Sequence, residues 1–533
     1  MGVQSLKSGG AAGILAASLA ASGITPAMAA TPEDTLVYGT SLAQVISLDP
    51  HQGQEVTSLE IMANLYDRLV ASDAAGNLTP QLAESWEITE DGITFHLKDA
   101  VFNNTGNPVT AEDVVWSIRR VLKLNQAPAA KLGSTGYTAE NIDSLTEALD
   151  DRTFRIALTG EVAADFLLYR LSEVAASVVE RAEVMEHEAD GDMGNGWLRT
   201  HAAGSGPFDL QRWAPNDIVI MNADEDNWSG APILKRVVMR HVPESQAERL
   251  MLERGDIDIA GALSPKDIAY FSDKDGVDVR GISTGGFYAL AMNVTQEPYS
   301  NPKVREAIFH AIDYDGIEQA IMGPYGKKRL LPVPMAYEGA LPDPDWDYNP
   351  EKARALLAEA GYPDGFTTNI KVIAQTPRVE LSTAIQAGLA DIGIDASITQ
   401  GSGADIVPDH RARNFELLVP QTGAYMPNPM GAMEQFSNNP DNSPEANNAG
   451  NFVWRSGWDI PELTELTART MKENDPEKRV AMYGEMQQAF IDAVPAILPM
   501  FERFLPLAIS TDVKGYEGHP QQVTRLDKVS KSE

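Results

Sequence analysis

Residues 287–312 read FYALAMNVTQEPYSNPKVREAIFHAI, and this stretch contains both kinds of element from which the chain is built. The continuous apolar run at 287–292 is consistent with a strand that is buried on both faces. Residues 304–312 carry apolar side chains at the spacing of an amphipathic helix. A buried strand that leads into a helix predicts an α/β protein, because helices usually cover such strands.

The same alternation of strands and helices continues on both sides of this stretch. Thr110, three residues before Asp113, predicts a helix N-cap at the head of an apolar-periodic run. Residues 122–200 are less patterned and rich in acids, which indicates a peripheral subdomain, and residues 425–450 have the composition of a loop. The other predicted strands are 36–38, 86–88, 94–97, 218–221 and 237–239, and the other predicted helices are 59–69, 245–254, 352–360, 381–392, 461–471 and 476–491.

The composition excludes several classes of protein. The chain has 533 residues, of which 43% are apolar and 22% charged, as in an ordinary soluble globular protein with sizeable cores. Asp and Glu number 76 against 42 Lys and Arg, so the net charge is −34. Because that charge repels phosphate backbones, we expect no nucleic-acid partner.

The chain contains no cysteine. Disulfides, thiol catalysis, Cys-ligated zinc and iron–sulfur clusters are therefore excluded. A lipid-modified N-terminal cysteine, which many surface-anchored bacterial proteins carry, is excluded for the same reason.

The first thirty residues have the layout of a secretory signal peptide. Lys7 is the only charged side chain before Glu33, residues 11–21 are largely apolar, and Ala27-Met28-Ala29 supplies small residues at a cleavage site. We predict a signal peptide over residues 1–29, with a mature chain that begins at Ala30 or Thr31. The alternative is a terminus that is merely rich in Ala and Gly. No later stretch reaches about 18 uninterrupted apolar residues. We therefore expect a periplasmic protein without a lipid anchor.

Several segments, in order along the chain, resemble one family. The chain is similar to the dipeptide/oligopeptide/nickel class of solute-binding proteins (family 5) that serve ABC importers. Any one segment is a weak match, but their order and spacing across nearly all of the mature chain are typical of the family. The segments are LDP at 48–50, PQLAESWE at 80–87, DGITFHL at 91–97, TAEDV at 110–114, GSGPF at 204–208, RGDID at 254–258, NP at 301–302, VREAI at 304–308, AID at 311–313, LLAEAGY at 356–362 and IGI at 392–394.

The resemblance implies an α/β, two-lobed periplasmic binding protein fold of the cluster C type. Lobe one would comprise residues 30–283 with an inserted subdomain over about 69–202, and lobe two residues 284–500. Residues 501–533 would return to lobe one. The two hinge crossings would lie at Thr284-Gly285-Gly286, where glycines accept changing backbone angles, and near Pro499. We interpret Arg305 and Asp313 as a structural ion pair.

The function implied by the family is capture without chemistry. An open form would bind a peptide or peptide-like solute, closure would add contacts from the other lobe, and the closed form would dock on the membrane permease with its ATPase subunits. We expect a monomer, no cofactor, no metal and no enzymatic activity. The alternatives are the same role for an opine, an oligosaccharide or a nickel chelate, a secreted hydrolase, and a signalling or chaperone role with the same fold.

The first candidate ligand contacts come from positions that match the family's binding segments. Thr40 and Ser41 follow the first strand, where backbone groups could pair with an extended peptide, although an ordinary strand exit reads the same way. Phe287 and Tyr288 begin lobe two beside the hinge. Arg378 precedes a helix and suits a solute carboxylate, since guanidinium groups match carboxylates, although a solvated Arg is an equally good reading. Trp454 offers an aromatic face, but a tryptophan is more often part of a core.

Residues 423–429, GAYMPNP, supply the remaining candidates Gly423, Ala424 and Tyr425. Peptide binders of the family often carry an Asp in an Asp-Tyr-Pro-Asp-Pro-like loop, which pairs with the α-ammonium group of the peptide. If the prolines match, Tyr425 replaces that Asp, and a phenol is not an anion at neutral pH. A buried ammonium group needs a paired anion. A solute without a free amine is therefore possible, whereas Glu434 could supply the anion for a peptide.

Two motifs suggest other chemistry and do not fit it. The aspartates at 343, 345 and 347 alternate like calcium ligands but lack the glycine and the final glutamate of such a loop. The Gly-x-Ser-x-Gly string at 281–285 leads into a strand, whereas a nucleophile elbow leads into a helix. The histidines show no paired metal spacing, although His410 would be the first suspect if the solute were a nickel chelate.

Overall fold

The structure is a computed structural model, and it describes residues 31–532 except 424, 425, 427, 447, 449, 450 and 522. The signal-peptide prediction for residues 1–29 and the candidates Ala424 and Tyr425 lie outside the described residues. The described part contains no helix with enough length and apolar character to cross a membrane.

Strands and helices alternate along the described chain, as the sequence predicts. The strands are β1 (Thr35–Thr40), β2 (Val70–Ser72), β3 (Leu78–Pro80), β4 (Ala83–Ile88), β5 (Gly92–Leu97), β6 (Thr146–Asp150), β7 (Thr153–Ala157), β8 (Phe208–Ala214), β9 (Ile218–Ala223), β10 (Arg236–His241), β11 (Ile259–Ala260), β12 (Val277–Met292), β13 (Gly326–Lys328), β14 (Thr367–Ile373), β15 (Asp395–Gly401), β16 (Leu417–Leu418), β17 (Ile497–Ser510), β18 (Val513–Lys514) and β19 (Ser530–Lys531).

The helices cover the faces of the sheets. They are α1 (Val56–Leu65), α2 (Ala111–Leu124), α3 (Ala129–Gly133), α4 (Ile142–Leu145), α5 (Ala164–Leu171), α6 (Arg181–Glu186), α7 (Asn195–Leu198), α8 (Ser245–Arg254), α9 (Pro265–Ser272), α10 (Pro302–His310), α11 (Tyr314–Ile317), α12 (Pro350–Glu359), α13 (Arg378–Asp391), α14 (Gly403–Arg411), α15 (Pro429–Ser437), α16 (Phe452–Arg455), α17 (Pro461–Lys472) and α18 (Pro476–Asp492). A π-helical turn (Glu318–Met322) and 3-10 turns (Val174–Ala176, Gly323–Tyr325, Pro444–Ala446) complete the set.

One long sheet runs through the whole molecule. Its order is β15-β14-β16-β12-β17-β11-β1-β10-β9-β8, and β13 pairs with β17 outside this path. The antiparallel strands β12 and β17 lie in the middle and connect two groups of strands. We call the group with β1, β10 and β11 lobe one, and the group with β14, β15 and β16 lobe two. The precise residues at which the lobes begin and end stay a prediction.

Separate hydrophobic cores accompany these parts. Lobe one is centred on β1 and β10, and residues of the C-terminal tail such as Leu526 and Val529 are buried in the same cluster. The inserted subdomain has its own core around the four-stranded sheet β4-β5-β7-β6 and helix α2. Lobe two buries one cluster under α10, α12 and α13 and another under α15, α17 and α18. The less patterned region 122–200 contributes to two cores: Leu132, Phe154 and Leu168 are buried in that of the subdomain, and Val184 and Leu198 in that of lobe one.

The pairing of β12 with β17 is interrupted at two places, and the larger interruption lies at residues 284–286. Ser283 lies opposite Phe504 and Phe287 opposite Glu502, so residues 284–286 bulge out of the ladder. Gly285 takes a positive φ of 62°, which costs glycine little. The Thr284 hydroxyl donates to the Arg503 carbonyl oxygen at 2.9 Å. The larger irregularity therefore includes the predicted glycines on β12 and Arg503 on β17. In the second, Tyr288 lies opposite Phe501 and Ala289 opposite Pro499, so Met500 is the extra residue.

Two local predictions have opposite outcomes. The N-cap at Thr110 is confirmed, because its hydroxyl accepts from the Asp113 N–H and the Asp113 carboxylate accepts from the Thr110 N–H, which forms a capping box. The prediction that Arg305 and Asp313 form an ion pair is wrong. The Arg305 guanidinium donates to backbone carbonyls, including Val494 O at 2.8 Å, whereas Asp313 caps α11.

A buried carboxyl group links α1 to the C-terminal tail. Glu60 is 7% exposed, and the Tyr516 hydroxyl approaches its Oε1 at 3.4 Å. Burial raises the pKa of Glu60 from 4.5 to about 7, and the hydrogen bond from Tyr516 opposes that shift only weakly. The folded protein therefore holds a proton on Glu60 that the unfolded chain releases at lower pH.

Replacing Glu60 with glutamine should change the pH dependence of stability. In the wild type, the contribution of Glu60 to the free energy of unfolding is present below about pH 4.5. It is lost as the pH rises through about 7, because the unfolded chain releases the Glu60 proton at a lower pH than the folded protein does. The free energy of unfolding of Glu60→Gln minus that of the wild type should be larger at neutral to alkaline pH than at acidic pH, by up to about 3 kcal/mol. Urea unfolding across this range measures the effect, with the exposed Glu87→Gln as control. Parallel pH curves for wild type and Glu60→Gln would contradict the prediction.

Candidate functional site

The strand registers bring the carboxyl ends of two sets of parallel strands to the same place. In lobe one, β10 and β11 both run parallel to β1, and the antiparallel pairing of β11 with β17 directs their carboxyl ends toward the bulge. In lobe two, β16 runs parallel to β14 and antiparallel to β12, so it also points toward the bulge. Ligands of open α/β sheets bind in the crevice outside the carboxyl ends of strands. The fold therefore indicates a cleft between the lobes beside residues 284–286.

One wall of the cleft is the segment that follows β16. The Phe287 N–H donates to the Thr422 Oγ1 at 2.8 Å, and the Thr422 N–H donates to the Phe287 carbonyl oxygen at 2.8 Å. Gly286 lies so close to this segment that a Cβ there would be 2.4 Å from the Thr422 carbonyl oxygen. A Cβ on Gly423, in contrast, would meet no atom of the described residues within 4 Å. Gly423 therefore borders open space, directly before the undescribed Ala424 and Tyr425.

Two arginines and a tyrosine form a polar group close to the segment that follows β16. Arg378 begins α13 and is 5% exposed, and its Nη2 donates to the Gln375 Oε1 at 2.5 Å. Its Nε has no hydrogen-bond partner among the described residues. Burial raises the pKa of the Tyr288 hydroxyl, and the nearby charge of Arg503, on the strand opposite the bulge, lowers it. Tyr288, Arg378 and Arg503 thus lie together.

The electrostatics of this group favour an anion. Burial lowers the pKa of Arg378, and the nearby charge of Arg503 lowers it further, while Tyr288 has the opposite effect. Burial also raises the pKa of Tyr288, against the effect of the two guanidinium groups. Within the described ranges no carboxylate forms an ion pair with Arg378. A buried guanidinium without an anion is unfavourable, so a bound carboxylate would stabilise this arrangement.

A polar pocket with one Arg and one Glu lies between α5 and lobe two. It has a volume of about 260 Å³ and is lined from α5 by Arg170 and from lobe two by Glu434 and Gln435, among other residues. Burial raises the pKa of Glu434, and the charge of Arg170 opposes this shift. Arg170 itself pairs with Glu173 at 2.7 Å. Because the Gln435 side-chain amide donates to the Gly423 carbonyl oxygen at 3.4 Å, the pocket adjoins the wall of the cleft.

The other residues predicted from sequence differ in their surroundings. Thr40 and Ser41 lie at the carboxyl end of β1, but β1 is a central strand, and the Thr40 carbonyl oxygen accepts from the Val242 N–H at 2.9 Å. Phe287 is fully buried and packs edge-to-face on Phe436. The role of Thr40 and Ser41 as backbone contacts of a solute therefore stays a prediction. The Phe287 ring lies inside the core.

Trp454 is likewise committed to internal contacts. Its indole N–H donates to the Ser443 carbonyl oxygen at 3.0 Å, and the Arg413 guanidinium lies 3.9 Å from the ring centroid. The structure thus brings Tyr288, Arg378 and Gly423 to one region, without Trp454. Sequence reasoning missed Arg503, because nothing in its neighbourhood along the chain shows that β17 places it opposite the bulge.

The Gly-x-Ser-x-Gly string at 281–285 lacks the geometry of a nucleophile elbow, and the surroundings of His410 do not suit a metal ligand. Residues 281–285 lie inside β12, which continues to Met292, and the Ser283 hydroxyl donates to Glu502. His410 is buried against Phe415, and burial lowers its pKa to about 3. In the part of the chain that the structure describes, no group of three His, Asp or Glu residues could hold a metal ion.

Two lobes on a shared sheet, with a polar cleft beside the connecting strands, define a two-lobed solute-binding protein. The family model of bacterial extracellular solute-binding proteins, family 5, middle region, matches residues 77–444. The chain belongs to this family, whose members bind solutes for ABC importers, and its two-lobed α/β fold is that of the periplasmic binding proteins.

Curated relatives match most of the chain. The probable D,D-dipeptide-binding periplasmic protein DdpA of Escherichia coli K12 is 28% identical over 97% of this chain and 98% of its own length. The glutathione-binding protein GsiB of Pectobacterium atrosepticum is 27% identical over 72% of this chain and 75% of its own length.

Solved structures share the fold. HbpA2 from Haemophilus parasuis is 25% identical, with a TM-score of 0.78 over 94% of this chain and 100% of that one. The unliganded open form of MppA, a periplasmic murein tripeptide-binding protein, is 20% identical, with a TM-score of 0.78 over 94% of this chain and 98% of that one.

Two glycine substitutions should separate packing from exposure in the cleft wall. Gly286→Ala should lower the free energy of unfolding by about 1–3 kcal/mol, since its Cβ meets the backbone of Thr422. Gly423→Ala should leave stability unchanged, because its Cβ enters open space. Denaturant unfolding of the two variants measures this. Equal stability of Gly286→Ala and the wild type would show that the wall yields at that contact.

Proposed function

We propose that this protein captures a peptide or peptide-like solute with a free carboxylate and delivers it unaltered to the membrane permease of an ABC importer with its ATPase subunits. The observation that carries the proposal is the buried Arg378 without an acidic partner, beside Tyr288 and Arg503. The names of the relatives agree with it, since D,D-dipeptides and glutathione both carry carboxylates.

Glu434 is the anion that we assign to the amino end of a peptide. It lies in the pocket that adjoins Gly423, in a chain whose Tyr425 offers no negative charge. An opine also carries a carboxylate and is the alternative solute. A neutral oligosaccharide would leave Arg378 without an anion, and a nickel chelate would gain nothing from the buried His410.

Removing the Arg378 guanidinium should abolish binding of carboxylate solutes. A thermal-shift screen of the wild type would use D-alanyl-D-alanine, L-alanyl-L-alanine, glutathione, an opine, an oligosaccharide and a nickel–histidine chelate. A ligand that binds only the folded protein raises its melting temperature. Arg378→Gln should lose the shift with every peptide, and the exposed Arg354→Gln should keep it. If peptides leave the wild-type melt unchanged while the opine or the oligosaccharide shifts it, the peptide clause is wrong.

We further propose that the protein acts in the periplasm as a monomer without a lipid anchor. The apolar segment before Ala27-Met28-Ala29 would direct export and be removed. Expression in a Gram-negative host should yield a periplasmic protein that begins at Ala30 or Thr31, as intact-mass measurement would report. A full-length mass, or retention in the membrane fraction, would contradict this proposal.

A further inference from the structure

An irregular segment of lobe two packs against the connecting strands. It starts with the π-helical turn Glu318–Met322, continues through Gly323 at a φ of 41° and ends in β13. Strand β13 pairs with β17 so that Gly326 lies opposite Arg503. The Pro324 carbonyl oxygen would be 2.7 Å from a Cβ on Gly281, so the segment also touches β12. A π-helical turn is rare in proteins and is frequent at functional sites.

Tyr325 is the last residue of this segment before β13. Its hydroxyl oxygen is buried and has no hydrogen-bond partner among the residues that the structure describes. A buried hydroxyl without a partner costs free energy, so it needs an explanation in the native structure. Its position beside Gly326 places it next to the strand that carries Arg503.

The neighbours of Tyr325 are those of the proposed carboxylate site. Burial raises the pKa of its hydroxyl, and Tyr288 and Glu380 raise it further. Glu380 lies on the same first turn of α13 as Arg378 and accepts from the Thr376 hydroxyl at 3.0 Å. Because the phenolate form of Tyr325 is disfavoured, its hydroxyl stays protonated at neutral pH and can donate a hydrogen bond.

We propose that Tyr325 is a further specificity-determining residue, whose hydroxyl donates to the carboxylate of the solute beside Tyr288, Arg378 and Arg503. This inference rests on the proposed function, because it needs a solute with a carboxylate in that place. In this proposal Tyr325, on the segment that pairs with β17, makes the protein prefer a peptide with a free carboxylate to the same peptide with an amide end. A carboxylate accepts the Tyr325 hydrogen bond as an anion, whereas an amide oxygen accepts it without charge.

The test compares two forms of one peptide on three proteins. The probe is whichever of D-alanyl-D-alanine, L-alanyl-L-alanine and glutathione binds the wild type most tightly, together with its C-terminal amide. Titration calorimetry gives the dissociation constants for wild type, Tyr325→Phe and the control Tyr348→Phe, whose ring is exposed. Tyr325→Phe should weaken binding of the acid by about tenfold, the effect of one hydrogen bond to a charged group, and weaken binding of the amide clearly less. Tyr348→Phe should change neither.

The outcomes separate the two levels of the proposal. If Tyr325→Phe weakens the acid and the amide equally, or weakens neither, then Tyr325 does not read the carboxylate, although the proposed function stands. If none of the three peptides binds the wild type, the proposed function fails, and the role of Tyr325 fails with it. The unliganded Tyr325→Phe should melt no lower than the wild type, because the hydroxyl that it loses has no partner in the described part of the chain. A clear fall in its melting temperature would reveal a structural partner and overturn the proposal.

Discussion

The hydrogen-bonded pairing of β12 with β17 is the constraint on which the rest of the molecule depends. These two strands join lobe one to lobe two within a single sheet, and the ladder between them is interrupted at residues 284–286. Everything assigned to the cleft is fixed relative to that interruption. Tyr288 and Arg503 flank it on the two strands, and the segment after β16 pairs with β12 just beyond it. The geometry of the cleft thus follows from backbone pairing before any side chain is considered.

Charge then decides what the cleft can hold. The chain as a whole is strongly acidic, yet Arg378 forms no ion pair with a described carboxylate, although Glu502 lies beside the bulge and accepts from Ser283. Some buried arginines are paired, such as Arg120 with Asp49, where both side chains are fully buried, and Arg305 donates to backbone carbonyl oxygens instead. A buried ion pair satisfies its own charges and has nothing to offer a solute. The contrast between Arg120 and Arg378 is the physical reason for regarding the first as scaffold and the second as a binding group.

The sequence predicted the α/β class and the residues of the connecting strand well, because a run such as 287–292 and its neighbouring glycines act locally. It predicted Arg378 and Tyr288 as candidates for the same reason. It could not predict that Trp454 is covered by Arg413 or that Arg305 bonds to backbone carbonyls instead of Asp313. Those contacts join residues that are far apart or otherwise ambiguous in the chain. Arg503 and Tyr325 were not predicted as site residues, because only the register of β13 on β17 brings them together.

The division of labour between backbone and side chains has an evolutionary consequence. In the mechanism that we propose, motion between the lobes depends on main-chain torsions and ladder bonds at the bulge, which most substitutions leave intact. In the same proposal, a few side chains carried by α13, β17 and neighbouring segments recognise the solute. New cargo preferences can therefore arise by point changes in this binding surface while the machinery of opening and closing is inherited unaltered, so one scaffold can diversify across many nutrients.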